Sequence, residues 1–172
     1  MKKLVVAVFV VTLVFVVSAH AEESSSTRKM TPMSSGELDA PAVVKEVTDT
    51  FKQFIAAINR KDANAWAKYY SKDEFVYAVA GADIYDSRSA WVKTITSFFS
   101  KRARQNVEPQ EVRITMLGPN LVLLTSKERA EMQLKNGQSN RSRHVFTLLW
   151  KKGKEGWKIL YSHESWVDEP AK

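Results

Sequence analysis

The chain has 172 residues, of which 26 are Lys or Arg, 19 are Asp or Glu and none is Cys. This length suits one domain with a single core, and the lack of cysteine excludes disulfides and a lipid-anchored export signal. The formal charge of +7 is spread along the chain. It favours a solvated basic surface over a nucleic-acid interface and supports anionic partners only weakly.

The first 21 residues predict a cleaved secretory signal peptide. Lys2 and Lys3 precede an uncharged apolar run over residues 4–17, and the segment Ser18-Ala19-His20-Ala21 supplies the small residues of a cleavage site. A membrane anchor is the alternative, but a spanning helix needs about 20 apolar residues and this run is shorter. The sequence therefore favours cleavage before Glu22.

The remainder divides into a leader and one domain. Residues 22–38 are rich in Ser and Thr and nearly devoid of apolar side chains, so they cannot bury enough surface to offset the entropy cost of ordering. We expect a flexible leader there and a single domain over residues 39–168. The expected location is periplasmic or secreted, without membrane attachment once the signal is removed.

Helical periodicity marks three helices in the first part of the domain. Asp39 is the expected cap of the first helix, which ends near Arg60, and Asp62 that of a shorter second helix. A third helix begins after Asp86, Ser87 or Ser89. The apolar stripes of the first and third helices consist of Val43, Val47, Phe51, Phe54, Ile55 and Ile58, and of Trp91, Ile95, Phe98 and Phe99.

Alternating apolar residues predict a sheet made largely of strands that follow the third helix. A strand over residues 74–80 comes first, with a short return strand at Ile84-Tyr85. Four long antiparallel strands come last in the chain, and a type I′ turn at Asn136-Gly137 joins the second to the third. The glycine-bearing segment KKGKEG, residues 151–156, joins the third to the fourth.

Three passages make the chain resemble the SnoaL-like branch of the nuclear transport factor 2-like, or ketosteroid-isomerase-like, superfamily. They are IAAINRKDANAWAKYYSKDEFVYAV, AGADIYDSRSAWVKTITSFF and the closing strand around Trp157 to Ser165, and the resemblance covers residues 42–167. It implies an α+β, cystatin-like cone, in which a curved antiparallel sheet wraps the N-terminal helices and leaves a pocket. Because members of this family differ in activity, the fold alone does not give the function.

Strand alternation sorts the sheet residues into two faces if Lys135 pairs with Gln138 and Trp150 with Trp157. The resemblance places a pocket residue at Glu164, which selects its face as concave. The other face is then free for a partner, most simply a second copy of the chain. The residues expected at that dimer interface are Phe146, Leu148, Trp150, Trp157, Ile159 and Tyr161.

The expected pocket combines a polar pair with aromatic side chains. Arg143 and Glu164 fall in neighbouring strands near the open end, where they form either a ligand-orienting pair or a structural ion pair. The residues expected to line the pocket are Phe54, Tyr70, Arg143, Thr147, Glu164 and Trp166.

Ketosteroid isomerase activity is not expected from these residues. The resemblance aligns that enzyme's tyrosine oxyanion donor with Phe54, its aspartate base with Ala78, and its protonated aspartate with Val145 or Thr147. Proton abstraction beside a carbonyl needs a base and an oxyanion stabiliser. Phe54 has no hydroxyl, Ala78 cannot accept a proton, and neither Val145 nor Thr147 is acidic.

The remaining groups of polar residues give weaker indications of a functional site. His144 and His163 could begin a metal site as cross-strand neighbours, but interface or surface roles fit them better because no third ligand is placed beside them. The segment Lys101-Arg102-Ala103-Arg104 fits the solvated C-terminus of the third helix. Nothing in the sequence indicates a cofactor or a metal.

The sequence thus favours a dimeric domain that binds a small, partly apolar molecule without turnover. The enzyme alternative is a lyase, isomerase or hydrolase that uses Glu164 as acid or base, with Arg143 as electrophile. A third alternative is a non-catalytic dimerisation module with a vestigial pocket.

Overall fold

The structure is a computed structural model that describes residues 40–170. Its elements follow one another as three helices and six strands, with a short hairpin between the second and third helices. The helices are α1 (Ala40–Asn59), α2 (Ala63–Ala67) and α3 (Arg88–Lys101). The strands are β1 (Tyr77–Ala80), β2 (Asp83–Tyr85), β3 (Arg102–Gly118), β4 (Leu121–Leu134), β5 (Ser139–Gly153) and β6 (Gly156–Asp168).

Local sequence signals explain where the second and third helices begin. The Asp62 carboxylate accepts a hydrogen bond from Ala65 N at 2.9 Å, and the Ser87 hydroxyl accepts one from Ala90 N at 3.2 Å. Each bond satisfies one of the backbone N–H groups that a helix start leaves without a partner. Both caps were predicted, Ser87 as one of three candidates.

The predicted α+β cone fold is confirmed. The six strands form one sheet in the order β2-β1-β6-β5-β4-β3, and α1 packs against it through its apolar stripe. The four long strands are antiparallel, while β1 runs parallel to β6, so that the sheet is mixed rather than wholly antiparallel. Asn59 fixes the end of α1 to β3 through two hydrogen bonds with the backbone of Val107, at 2.7 and 3.0 Å.

The predicted register of the β4–β5 hairpin is wrong by one residue. Leu134 N donates to Gln138 O at 2.7 Å, which leaves a three-residue loop, and Gly137 adopts φ = 91°. This geometry is typical of a type I turn followed by a left-handed residue, not of the predicted two-residue type I′ turn. Because successive side chains point to opposite faces, the slip reverses the face of every β5 residue relative to the prediction.

A bulge in β6 changes the alternation a second time. The predicted pairing of Trp150 with Trp157 is wrong. Trp150 pairs with Ile159, and Leu149 pairs with Tyr161, so Leu160 is an extra residue. Ile159 and Leu160 are both buried. Beyond the bulge, even-numbered residues such as Glu164 face the helices, whereas before it Trp157 and Ile159 do so.

These registers overturn the predicted dimer surface. Five of its six residues belong to the core on the concave face, and only Tyr161 lies on the outer face. The exposed fractions of the five are 7% for Phe146, 2% for Leu148, 0% for Trp150, 6% for Trp157 and 0% for Ile159.

The predictions for the N-terminal segment fall outside the described residues. These are the signal peptide at residues 1–21, the leader at residues 22–38 and the Asp39 cap. Within residues 40–170, no helix combines the length and apolar character needed to span a bilayer.

Candidate functional site

Two adjacent cavities lie between the helices and the concave face of the sheet. The inner cavity has a volume of about 50 Å³ and the outer one, at the mouth of the cone, about 190 Å³. Arg102, His144 and Glu164 line both. These side chains therefore mark the point where the apolar interior meets the mouth.

Aromatic rings form most of the inner wall. Trp66 lies 4.7 Å from Tyr70 and 5.7 Å from Trp91 between ring centroids. Arg88 holds this segment in place by donating hydrogen bonds to the carbonyl oxygens of Tyr70 and Ala67, at 3.2 and 2.6 Å. The aromatic residues that line the inner cavity are Phe54, Trp66, Tyr70, Trp91, Phe99 and Phe146.

A chain of hydrogen bonds joins two neighbouring strands at the junction of the cavities. His144 Nδ1 lies 2.9 Å from Glu164 Oε1, and His144 Nε2 lies 2.7 Å from the Ser142 hydroxyl. A neutral ring protonated at Nδ1 satisfies both contacts, since it donates to the carboxylate and accepts from the hydroxyl. His144 is 5% exposed and the Glu164 side chain 23% exposed, so the carboxylate is the more accessible partner.

Trp166 covers this pair at the mouth. Its ring stacks on His144 with centroids 6.1 Å apart, and the side chain is 44% exposed. Gly81, at φ = 61°, lies beneath the indole, where an added Cβ would come within 2.9 Å of the ring. A glycine at this position allows the indole to approach the β1–β2 turn.

Arg102 lies at the junction of α3 and β3 and lines both cavities. Its guanidinium donates to Gln105 Oε1 and lies 5.8 Å from the centroid of Phe98. Burial lowers the pKa of Arg102, and the nearby Glu164 carboxylate opposes that change. The expectation that the segment 101–104 is simply solvated is therefore wrong for this residue.

Glu128 is a second acid on the concave face, opposite His144 in the neighbouring strand. The residue is 1% exposed, and neither carboxyl oxygen has a hydrogen-bond partner of normal geometry within residues 40–170. Burial raises the pKa of Glu128 to about 8; the nearby Ser126 hydroxyl lowers it, and the Glu164 charge raises it further. The side chain is thus largely neutral at pH 7.

Tyr70 contributes a hydroxyl to the inner cavity. It donates to the Ser162 hydroxyl at 3.3 Å, and burial raises the pKa of this phenol. Tyr70 therefore stays protonated throughout the neutral range and can only act as a neutral hydrogen-bonding group.

The structure brings together four of the six residues that were expected at the pocket. Phe54, Tyr70 and Glu164 line the inner cavity, and Trp166 lines the mouth. Whether these residues bind a ligand stays a prediction.

Arg143 and Thr147 lie instead on the outer face because of the one-residue slip. The Arg143 side chain is 69% exposed, and its Nε lies 3.7 Å from Glu169 Oε1. The expected pairing of Arg143 with Glu164 is therefore wrong, and His144 occupies that place.

The sequence does not identify Arg102 and Glu128 as residues of the site. It also does not predict that the His144 side chain faces the cavities. The i, i+2 spacing of Ser142 and His144 was a usable signal, since it places both on one face of a strand. With a three-residue loop at Asn136-Gly137, the face that carries Ser142 and His144 is the concave face of the sheet. Within residues 40–170, no group of three His, Asp or Glu side chains is close enough to hold a metal ion.

Comparisons with known proteins agree with this architecture. The sequence profile of the SnoaL-like domain matches residues 47–169. No curated protein sequence matches the chain significantly.

Solved structures with low sequence identity have the same fold. A candidate dehydratase of the NTF2-like family from Streptomyces avermitilis is 16% identical, with a TM-score of 0.67 over 74% of this chain and 97% of that one. A candidate scytalone dehydratase from Novosphingobium aromaticivorans is 9% identical, with a TM-score of 0.67 over 77% and 91%. Hexachlorocyclohexane dehydrochlorinase LinA-type3 from Novosphingobium barchaimii is 13% identical, with a TM-score of 0.66 over 78% and 93%.

Proposed function

Because the chain belongs to the SnoaL-like domain family, we propose that its cone binds a small, largely apolar molecule and moves a proton on it. Glu164 is the acid or base and His144 positions it. The observation that carries this proposal is the 2.9 Å contact between His144 Nδ1 and Glu164 Oε1 at the junction of the two cavities. A carboxylate held by a histidine beside an apolar cavity is suited to general acid–base catalysis.

Elimination is the reaction that this arrangement supports best. Glu164 takes a proton from a carbon next to the one that bears the leaving group, the C–H electron pair forms the double bond, and the leaving group departs with its own electrons. His144 keeps one carboxylate oxygen occupied, so the other is the one available to the substrate. The names of the dehydratase and dehydrochlorinase neighbours denote eliminations, which supports this choice for the present chain.

Binding without turnover is the second candidate. The inner cavity is lined mainly by aromatic and aliphatic side chains and adjoins the outer cavity of about 190 Å³, and the Tyr70–Ser162 hydrogen bond already uses one of its polar groups. A site of this kind can retain an apolar ligand without reacting with it.

The two candidates separate in assays of elimination and binding. The probes are hexachlorocyclohexane, followed by chloride release, and a cyclic β-hydroxy ketone, followed by enone absorbance. We expect turnover of at least one probe, and Glu164→Gln should lower kcat by at least about 100-fold while leaving ligand-induced quenching of tryptophan fluorescence unchanged. Ser165→Ala is the matched control, since Ser165 lies on the outer face opposite Val145.

Either of two results would count against catalysis. Saturable quenching without turnover of either probe would favour binding alone. Turnover that survives Glu164→Gln within a factor of two would remove Glu164 from the mechanism.

We further propose that the protein forms a homodimer through the outer face of the sheet. The residues proposed for this interface differ from the predicted ones, most of which are buried in the core. Leu123, Leu149, Tyr161 and Tyr77 are successive cross-strand partners and form one row across four strands, here called the outer row. The first three are half-buried, and Tyr77 is 39% exposed. A continuous apolar row on a sheet face is suited to a second copy of the same face.

Export stays a proposal that rests on residues 1–21. We expect the mature protein to begin at Glu22 and to be recovered from the periplasm or the medium. N-terminal sequencing of protein from its native host tests this, and an intact Met1 on the folded protein would contradict it.

A further inference from the structure

Arg102 is the one Lys or Arg among the described residues that line the two cavities. The residue is half-buried, between the aromatic inner wall and the mouth. A cationic side chain in this position affects the affinity of any molecule that enters, because charge interactions strengthen as water is excluded.

The charge of Arg102 has no direct counter-ion within residues 40–170. Its neighbours are the neutral amide of Gln105 and the ring of Phe98, and no carboxylate lies within ion-pair distance. The Glu164 carboxylate acts on Arg102 only from a distance, since its contact at 2.9 Å is with His144. By contrast, the basic residues Lys151 and Lys152, on the surface, each have a carboxylate partner.

Burying a cation without a partner costs free energy, so an anion at this position would be stabilised. Glu128 does not compete for the guanidinium as an anion, because burial keeps it largely protonated near neutral pH. A guanidinium matches a carboxylate through two parallel hydrogen bonds, more closely than it matches a neutral oxygen.

The cavities also limit the size of the molecule. The volumes are about 50 and 190 Å³. A closed apolar cavity of about 150 Å³ binds benzene, so the outer cavity has room for one ring and the inner cavity has room for none. Trp91 lines both cavities, so an aromatic side chain is available for contact with such a ring.

We infer that the ligand of this site is a small carboxylic acid with a single ring, whose carboxylate binds Arg102 while the ring lies in the outer cavity beside Trp91. This inference rests on the proposed function in so far as both use the same cavities. It adds the substrate class, which acid–base chemistry at Glu164 does not determine.

The test compares two probes that differ only in charge, phenylacetate and phenylacetamide, by isothermal titration calorimetry at pH 7. Wild-type protein should bind the acid about tenfold more tightly than the amide. Arg102→Met should reduce this preference to within about twofold, because it should weaken the binding of phenylacetate and leave the binding of phenylacetamide unchanged. Arg104→Met is the matched control, because it removes the same charge from an exposed position that lines neither cavity.

Glu164→Gln separates this inference from the proposed function. The variant should lose turnover but keep the preference for the acid, since Arg102 is intact. Equal affinities of acid and amide in the wild type would overturn the inference, as would a preference that persists in Arg102→Met. No saturable binding of either probe at millimolar concentration would also overturn it, whatever the result for Glu164. Circular dichroism should be used to check that each variant is folded.

Discussion

At the scale of single residues, the burial of Glu128 lowers the stability of the folded protein. A buried carboxyl whose two oxygens have no hydrogen-bond partner of normal geometry in the described chain destabilises the fold, and it does so more strongly when it is ionised than when it is protonated. Most buried polar groups in native proteins are paired. The position of Glu128 beside His144 and Glu164 therefore links the stability of the fold to the charge of the site.

This link predicts a dependence of stability on pH. The unfolded chain releases the Glu128 proton near the ordinary pKa of 4.5, whereas the folded chain holds it up to about 8. Between those values the folded state binds the additional proton, so the free energy of unfolding should fall by about 1.4 kcal/mol per pH unit as pH rises. Glu128→Gln should remove this part of the slope in urea titrations from pH 5 to pH 8.

Glu131→Gln is the control, since Glu131 is an exposed acid on the same strand. It should change the slope little. A Glu128→Gln slope equal to that of the wild type would mean that this carboxyl titrates normally in the folded protein.

Gly81 gives a second prediction at the same scale. Gly81→Ala should destabilise the fold by about 1–2 kcal/mol through its left-handed backbone, and by more where the new methyl group meets Trp166. In a Trp166→Ala background, only the loss of stability that comes from the left-handed backbone should remain. Thermal unfolding of the four proteins of this double-mutant cycle measures the difference, and equal costs in both backgrounds would exclude contact between the two residues.

At the scale of elements, the loop between β4 and β5 determines which side chains enter the cone. Its Gly137, at φ = 91°, takes a conformation that glycine adopts without strain. Gly137→Ala should therefore cost about 1 kcal/mol in urea unfolding. Gly118→Ala is the control, since Gly118 has no positive φ and nothing within 4 Å of an added Cβ. If both variants lose the same stability, the left-handed loop is absent.

The helices and hairpins could be predicted from the sequence, but the registers could not. Periodic apolar residues and the caps Asp62 and Ser87 are local signals, and the structure reproduces them. The pair Asn136-Gly137 fits both a two-residue and a three-residue loop, because glycine serves the left-handed position of either. The bulge at Leu160 lies in a run of apolar residues that gives no sign of an extra residue.

These errors explain which parts of the site were found. Glu164 was placed correctly on the concave face through the family resemblance, independently of the assumed β5 register. The predicted partner of Glu164, Arg143, is wrong because that prediction depends on the register of the β4–β5 loop, and the observed register places His144 beside Glu164. Arg102 and Glu128 gave no sequence signal, since charged residues are usually exposed and only the tertiary structure buries these two.

At the scale of the whole molecule, the outer row predicts self-association. Leu149→Arg places a charge at the centre of that row and should convert a dimer into a monomer in sedimentation velocity at micromolar concentration. Ile84→Arg is the control, since Ile84 is 64% exposed on β2, outside the row. A wild-type protein that sediments as a monomer, or a Leu149→Arg dimer, would contradict the proposal.

The bulge at Leu160 also affects how this chain should be aligned with other proteins. In a regular strand, residues on one face are separated by even numbers, yet Ile159 and Glu164 both face the helices and are five positions apart. A related chain without the bulge would present the same two side chains with one residue fewer between them. Any transfer of residue roles along β6 must therefore allow a one-residue gap at Leu160, or it will match Glu164 with a neighbour on the opposite face.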